Sequence, residues 1–363
     1  MREKPPAAAG RNPYLSDLAQ ELCADELVYQ SGPGRGSRVI TVRNDRLRFE
    51  IWPDRGMSIG RFEWAGINLS WLSPVGPIHP HRSEPEGDGW LWTFSGGAVV
   101  PCGLLQVGHI SVDNGERLGL HGRAAGLQAF DVGVTQDPRS DGGPTLTASG
   151  TMREVRVVGE FLEWRRTIAT TLGSPAVVIT DTVTNQGYET SPFMFLHHMN
   201  FGYPLVSPQS RIVVPSRKTQ PFDENAERYA QSWDVPTAPR AGEPERVYYH
   251  DVVADESGRG WAGIVNPTLA GGLGIRIDWP LAELDRLVQW NMFASGQYVT
   301  ALEPGNCWTE GRGAERARGT LKSLEPGETW SADVRLTVVH GSEDIDALTR
   351  RWTRGREANQ NPA

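Results

Sequence analysis

Cysteine is nearly absent from this 363-residue chain: Cys23, Cys102 and Cys307 are odd in number, widely spaced, and form no Cys-x-x-Cys pair. That excludes a cysteine-built zinc site and favours a reducing compartment, the cytosol. Long apolar runs are missing too. None approaches the roughly 20 residues needed to cross a bilayer, so no membrane partner is expected. The opening ten residues lack the apolar segment of a signal peptide and read as a loose arm. Basic charge is not in excess, with 36 Lys and Arg against 44 Asp and Glu for a net −8. The cations form no stripe, so nucleic acid is not an expected partner. No G-x-S-x-G or H-E-x-x-H signature is present. Ser95–Leu104 is glycine-rich but lacks phosphate-cradle spacing, and no βαβ alternation marks a parallel nucleotide-binding sheet.

Turn residues and tryptophan are abundant. There are 41 Gly and 26 Pro, so helices are few, and 13 Trp. Short β-type runs such as Phe161–Ile168 and Ala176–Thr184 are bounded by Gly, Pro, Asn or Asp, the pattern of antiparallel strands joined by turns. Helical patterning is confined to Pro13–Leu27 and Ser342–Arg354. No fixed-period repeat supports a propeller or solenoid. The expected fold is all-β: one large antiparallel β-sandwich with a few short peripheral helices. An arm with a peripheral helix spans 1–34, the sandwich 35–341, and a terminal helix and tail 342–363. Pro215–Tyr248 is the least patterned internal stretch and reads as an excursion over a binding face. Most tryptophans fill a core of this size. Trp71, Trp90, Trp92, Trp290 and Trp308 stand near glycine-rich turns and are candidates for stacking on the C–H face of a sugar.

Three stretches place ionisable groups beside glycines: Leu118–Arg123, Leu196–Pro204 and Ala301–Gly305. His121, between Leu120 and Gly122, can be aimed inward by the turn, and Arg123 follows it. His197 and His198 end an apolar run; in a strand they face opposite ways, so at most one faces a given cleft. Asn200 and Tyr203 add hydrogen-bonding groups. Glu303 ends a strand that reads as buried, and burial raises a carboxyl toward the range of a general base. Arg55, in Asp54-Arg-Gly-Met57, can fork onto hydroxyls or pin a loop. Gln289, beside Trp290, is a further binding candidate.

In that order and spacing, Leu120-His-Gly122, His198-Met-Asn-Phe201, Leu302-Glu-Pro304 and Leu324-Glu-Pro-Gly-Glu328 resemble the galactose mutarotase (aldose 1-epimerase) superfamily over about residues 35–340. Pro53–Met57, Gly96–Leu104 and His198–Pro204 are similar to a less characterised branch called aldose 1-epimerase family proteins. The resemblance implies a β-supersandwich with the ligand on its concave sheet, Glu303 as base, His198 as acid, and His121 polarising the ring oxygen or a hydroxyl. An Asn-Arg pair usual before the first His is absent. The sugar-gripping Asp usual between the second His and the Glu has no clear counterpart; Asp278 and Asp285 are the nearest candidates.

The expected activity is interconversion of sugar anomers without cofactor or metal, with the ionised carboxyl and protonated imidazole acting together. Arg55, Arg123, His197, Asn200, Gln289 and Trp290 would hold the sugar, and a homodimer is compatible with the sequence. Two alternatives remain open: a metal-assisted isomerase or lyase on a keto-sugar, and a sugar-binding domain without turnover.

Overall fold

A computed structural model describes residues 14–360 apart from 139 and 141. Its core is a sandwich of an eight-stranded and a seven-stranded sheet, flanked by a five-stranded sheet and a small hairpin. The paired strands within the four sheets run antiparallel. The strands explain themselves by period: Phe161–Thr171 alternates buried and less buried side chains along its length, as a sheet with one face on a core must.

The strand Ser191–Gly202, hereafter the histidine strand, breaks that alternation. Eleven of its twelve residues are buried. One face packs into the sandwich, where Phe193, Phe195, Met199 and Phe201 join the main apolar core. The other lies under loops that roof the concave sheet. It pairs with Gln297–Gly305, hereafter the glutamate strand, on one side and with Val100–Leu104 on the other. The glutamate strand in turn pairs with Arg286–Ala294, which pairs with Arg246–Val252.

The ends of the chain depart from expectation in one place. Pro13 lies outside the described residues, but the rest of the expected Pro13–Leu27 helix is a single 3-10 turn, Leu18–Gln20, followed by a strand, Leu22–Val28. Asp17 and Gln20 form a capping box that starts this turn, four residues beyond the expected helix start. Pairing of Leu22–Val28 with Arg38–Asn44 in register then overrides local helix propensity. That pairing also ties the expected peripheral arm into a sheet with the residues after position 35. The terminal helix, Ser342–Gln360, forms, and packs Ile345, Leu348 and Trp352 against Val213, Trp261 and Val265. Among the described residues no helix is long and apolar enough to cross a membrane. Cys23, Cys102 and Cys307 are unpaired.

Candidate active site

Register decides what meets in the concave sheet. Met199 opposes Leu302 and Val288 opposes Glu303, so the two-residue period sends His198, Glu303 and Val288 to one face. His198 Nε2 lies 3.3 Å from Glu303 Oε1, with both side chains almost wholly buried. They sit in a cleft of about 480 Å³, walled by Trp71, Trp90, Phe94, Trp290 and Val288 and reached by His109, His121, Glu245 and Thr309. The strand ends, about a hundred positions apart in sequence, are thus brought within contact.

His121 arrives from the roof. It occupies the left-handed region at φ 56°, followed by Gly122 at φ 72°. A Cβ on Gly122 would fall 2.3 Å from the Gln106 carbonyl oxygen, so only glycine closes this turn. The turn is stitched down by bonds from His121 N–H to Gly108 O and from Gly103 N–H to His121 O. The imidazole then rests against Trp90, ring centres 4.5 Å apart, and meets His198 edge-on at 5.5 Å. His198 is further enclosed by Phe94 at 5.2 Å and Trp290 at 5.5 Å.

This apolar enclosure controls the protons. Burial pushes the Glu303 carboxyl well above the usual carboxylate range, and the charge of Glu245 adds to the effect. Burial pulls His198 down to about 3, against a smaller opposing influence of Asn200. His121 is likewise held well below the ordinary imidazole range by burial, with His198 and His109 contributing. Burial thus favours a neutral carboxyl beside neutral imidazoles, whereas the sequence led to an expected ion pair. The physical reason is that desolvation penalises both charged forms at once. The net charge of the two groups is the same in either arrangement, a neutral acid beside a neutral imidazole or a carboxylate beside an imidazolium.

Of the residues expected to hold or stack on the sugar, Trp290, Trp71 and Trp90 line this cleft. The Trp290 indole N–H donates to Glu245 Oε2 at 2.7 Å. His197 points into the sandwich instead, bonded through Nε2 to Asp181 Oδ2 at 2.8 Å, as the opposite-face argument requires. Gln289 also faces the core, where its Oε1 accepts from His250 Nε2 and its amide N–H donates to the Trp233 carbonyl. Arg55 lies behind the turn Trp90–Thr93 and donates to the Thr93 carbonyl at 2.8 Å; burial lowers it to about 10. Arg123 is outside, paired with Glu86. Asn200 sits beside His198 but spends its amide on the Gly97 and His198 carbonyls. Asp278 and Asp285 are engaged elsewhere, with Arg276 and with Arg286 and Lys322. Trp92 is largely exposed, and Trp308 stacks on Tyr249.

Two ionisable lining groups escaped the sequence reading, His109 and Glu245. Glu245 lies near the end of the Pro215–Tyr248 excursion, which carries the edge strand Ser216–Pro221 and the short helix Glu224–Arg228. The excursion was legible; which of its many polar residues would reach the cleft was not. Among the described residues, no three His, Cys, Asp or Glu side chains are grouped to hold a metal ion.

Comparison with known proteins agrees with this architecture. No curated protein matches the chain. Among solved structures, a "putative aldose 1-epimerase" from Klebsiella pneumoniae subsp. pneumoniae MGH 78578 is 26% identical, with a TM-score of 0.86 over 93% of this chain and 88% of that one. A galactose mutarotase-like protein from Clostridium acetobutylicum is 13% identical, with a TM-score of 0.63 over 88% of this chain and 99% of that one. Galactose 1-epimerase from Lactobacillus acidophilus NCFM is 14% identical, with a TM-score of 0.51 over 88% and 100%. The latter two share the fold alone. Residues 34–338 match the family model described as "Domain of unknown function (DUF4432)"; the chain belongs to that family, and its β-sandwich is of the galactose mutarotase-like superfamily.

Proposed function

We propose that the cleft interconverts the anomers of a free sugar, with Glu303 and His198 as the acid–base pair. The observation that carries this reading is the 3.3 Å approach of a buried carboxyl and a buried imidazole in an aromatic-walled cleft. Glu303 takes the proton from the anomeric O1–H while His198 delivers one from Nε2 to the ring oxygen. The C1–O5 bond breaks, an aldehyde forms at C1, and rotation about C1–C2 presents its other face. Closure reverses both transfers, so the pair returns to its starting protonation.

This cycle needs one proton on the pair, and burial leaves one there. Moving it from Glu303 to His198 creates the base and the acid together without changing the net charge of the cleft. Sugar hydroxyls replacing water would hydrogen-bond the nascent carboxylate and favour that shift. His121 stands against Trp90 and faces His198 edge-on, suited to donating a neutral hydrogen bond to the ring oxygen or a neighbouring hydroxyl. Three unpaired thiols fit a reducing compartment such as the cytosol.

A positioned proton transfer is worth roughly 10²–10⁴-fold, which suits a reaction that also proceeds uncatalysed. Glu303→Gln keeps the shape of the cleft and removes the base. It is expected to lower anomer exchange, measured by NMR saturation transfer, by about that factor while the variant still quenches tryptophan fluorescence on binding sugar. Wild-type exchange rates in Glu303→Gln would sink the assignment.

A further inference from the structure

Among the described residues four arginines are almost wholly buried: Arg55, Arg166, Arg246 and Arg312. Three of them meet a carboxylate. Arg166 pairs with Asp181, Arg246 with Glu243, and Arg312 with Asp113 and Glu116. Arg55 differs. Its chain neighbour Asp54 is taken by Arg38. Its Nη2 donates to the Thr93 carbonyl, and its Nη1 is buried with no hydrogen-bond partner. Burial lowers its pKa to about 10, so the guanidinium is still charged near neutral pH. A buried charge without a counter-ion is costly, and the other three arginines avoid that cost.

Arg55 lines a small cavity of about 10 Å³. Trp90 and Phe94 line both this cavity and the cleft. Ser95 also lines it, and the Ser95 hydroxyl is a second buried group with no hydrogen-bond partner. Other polar groups around the cavity are spent: the Ser58 hydroxyl donates to the Arg55 carbonyl, and the Trp52 indole to Glu50. No Asp or Glu lines the cavity, so nothing there would hold a cation. The occupant must accept hydrogen bonds from a guanidinium and a hydroxyl. The volume admits one water or one monatomic ion, which excludes phosphate and carboxylates. A water would satisfy both donors but leave the charge of Arg55 uncompensated. A single anion does both.

We propose that this cavity binds one halide ion, chloride in solution, between Arg55 Nη1 and Ser95 Oγ. The ion would neutralise the guanidinium that holds the turn Trp90–Thr93, and so secure the wall on which His121 and His198 rest. Thermal unfolding at constant ionic strength, with sodium chloride exchanged for sodium methanesulfonate, tests the site without any sugar. Above the dissociation constant, each ten-fold rise in chloride is expected to raise Tm by about 2 °C. Arg55→Met removes the charge at similar length and is expected to abolish the chloride dependence. Ser95→Ala, which serves should that variant not fold, is expected to raise the chloride Kd roughly ten-fold, the worth of one hydrogen bond to a charged group. Crystals soaked in bromide are expected to show an anomalous peak within hydrogen-bond reach of Arg55 Nη1 and Ser95 Oγ. Equal Tm in the two salts, or one chloride dependence shared by wild type and both variants, would overturn the site. A bromide peak without chloride dependence in solution would mean an adventitious ion only, and would overturn it as well.

Discussion

Two neighbouring histidines on one strand meet opposite surroundings. His197 faces the inside of the sandwich, where Asp181 accepts bonds from His197, Arg166 and Trp164, all fully buried. Burial pushes the Asp181 carboxyl up, but the Arg166 charge and the bonds from His197 and Arg166 outweigh it and hold it well below the usual range. His198 faces the cleft, where its Nδ1 and the Glu303 Oε1 have no hydrogen-bond partner. Side chains of similar burial therefore do different work. The inner group joins the two sheets through a charge network whose bonds are made, while the outer pair keeps bonding capacity that a polyhydroxylated ligand can use.

The largest effect that would test this contrast lies on the inner face. Asp181→Ala leaves Arg166 buried without its carboxylate, and is expected to cost about 3–5 kcal/mol of stability, measured by urea unfolding. A loss under 1 kcal/mol would mean that the network is not what joins the sheets. Next comes the exchange of roles between neighbours. His198→Asn is expected to lower anomer exchange about 10²-fold or more with little change in unfolding midpoint. His197→Asn is expected to cost about 1–3 kcal/mol of stability and to retain its rate per folded molecule. If the two variants showed the same profile, the division between the faces would be wrong.

The subtlest test is the pH dependence of stability. Burial raises the folded pKa of Glu303 above its ordinary value of 4.5. The unfolded chain therefore releases a proton near pH 4.5 that the folded chain retains. Stability from this group is complete below that pH and is lost as pH rises toward the folded pKa. Glu303→Gln does not titrate, so its Tm relative to wild type should rise between pH 5 and pH 8. A pH-independent difference would mean that Glu303 is ionised in the folded protein.

Much of this was legible beforehand. Dense turn residues between short β-branched runs indicated an antiparallel sandwich because local steric preference and burial period act residue by residue. Adjacent histidines in a strand had to face apart, and Gly122 announced the turn that aims His121. The expected binding residues fared differently. Arg55, Arg123, Asn200 and Gln289 are polar groups of the right kind beside the right motifs, yet each is engaged by a carbonyl, a carboxylate or a core side chain. Nothing local in the sequence reveals such distant partners as Thr93 for Arg55 or Trp233 for Gln289. The terminal strand Leu22–Val28 was misread for the same reason, since its partner lies outside its own segment.

The sequence by itself determined the architecture, the turn at His121 and the two-sidedness of the histidine strand, because backbone sterics and side-chain alternation are properties of neighbouring residues. Tertiary structure alone decided that His198 meets Glu303 rather than Asp181, that Glu245 rather than an arginine edges the cleft, and that burial pushes the carboxyl of Glu303 up and the imidazole of His198 down. Those outcomes depend on strand register and on the removal of water from groups distant in the chain, and both arise only when the sheets close.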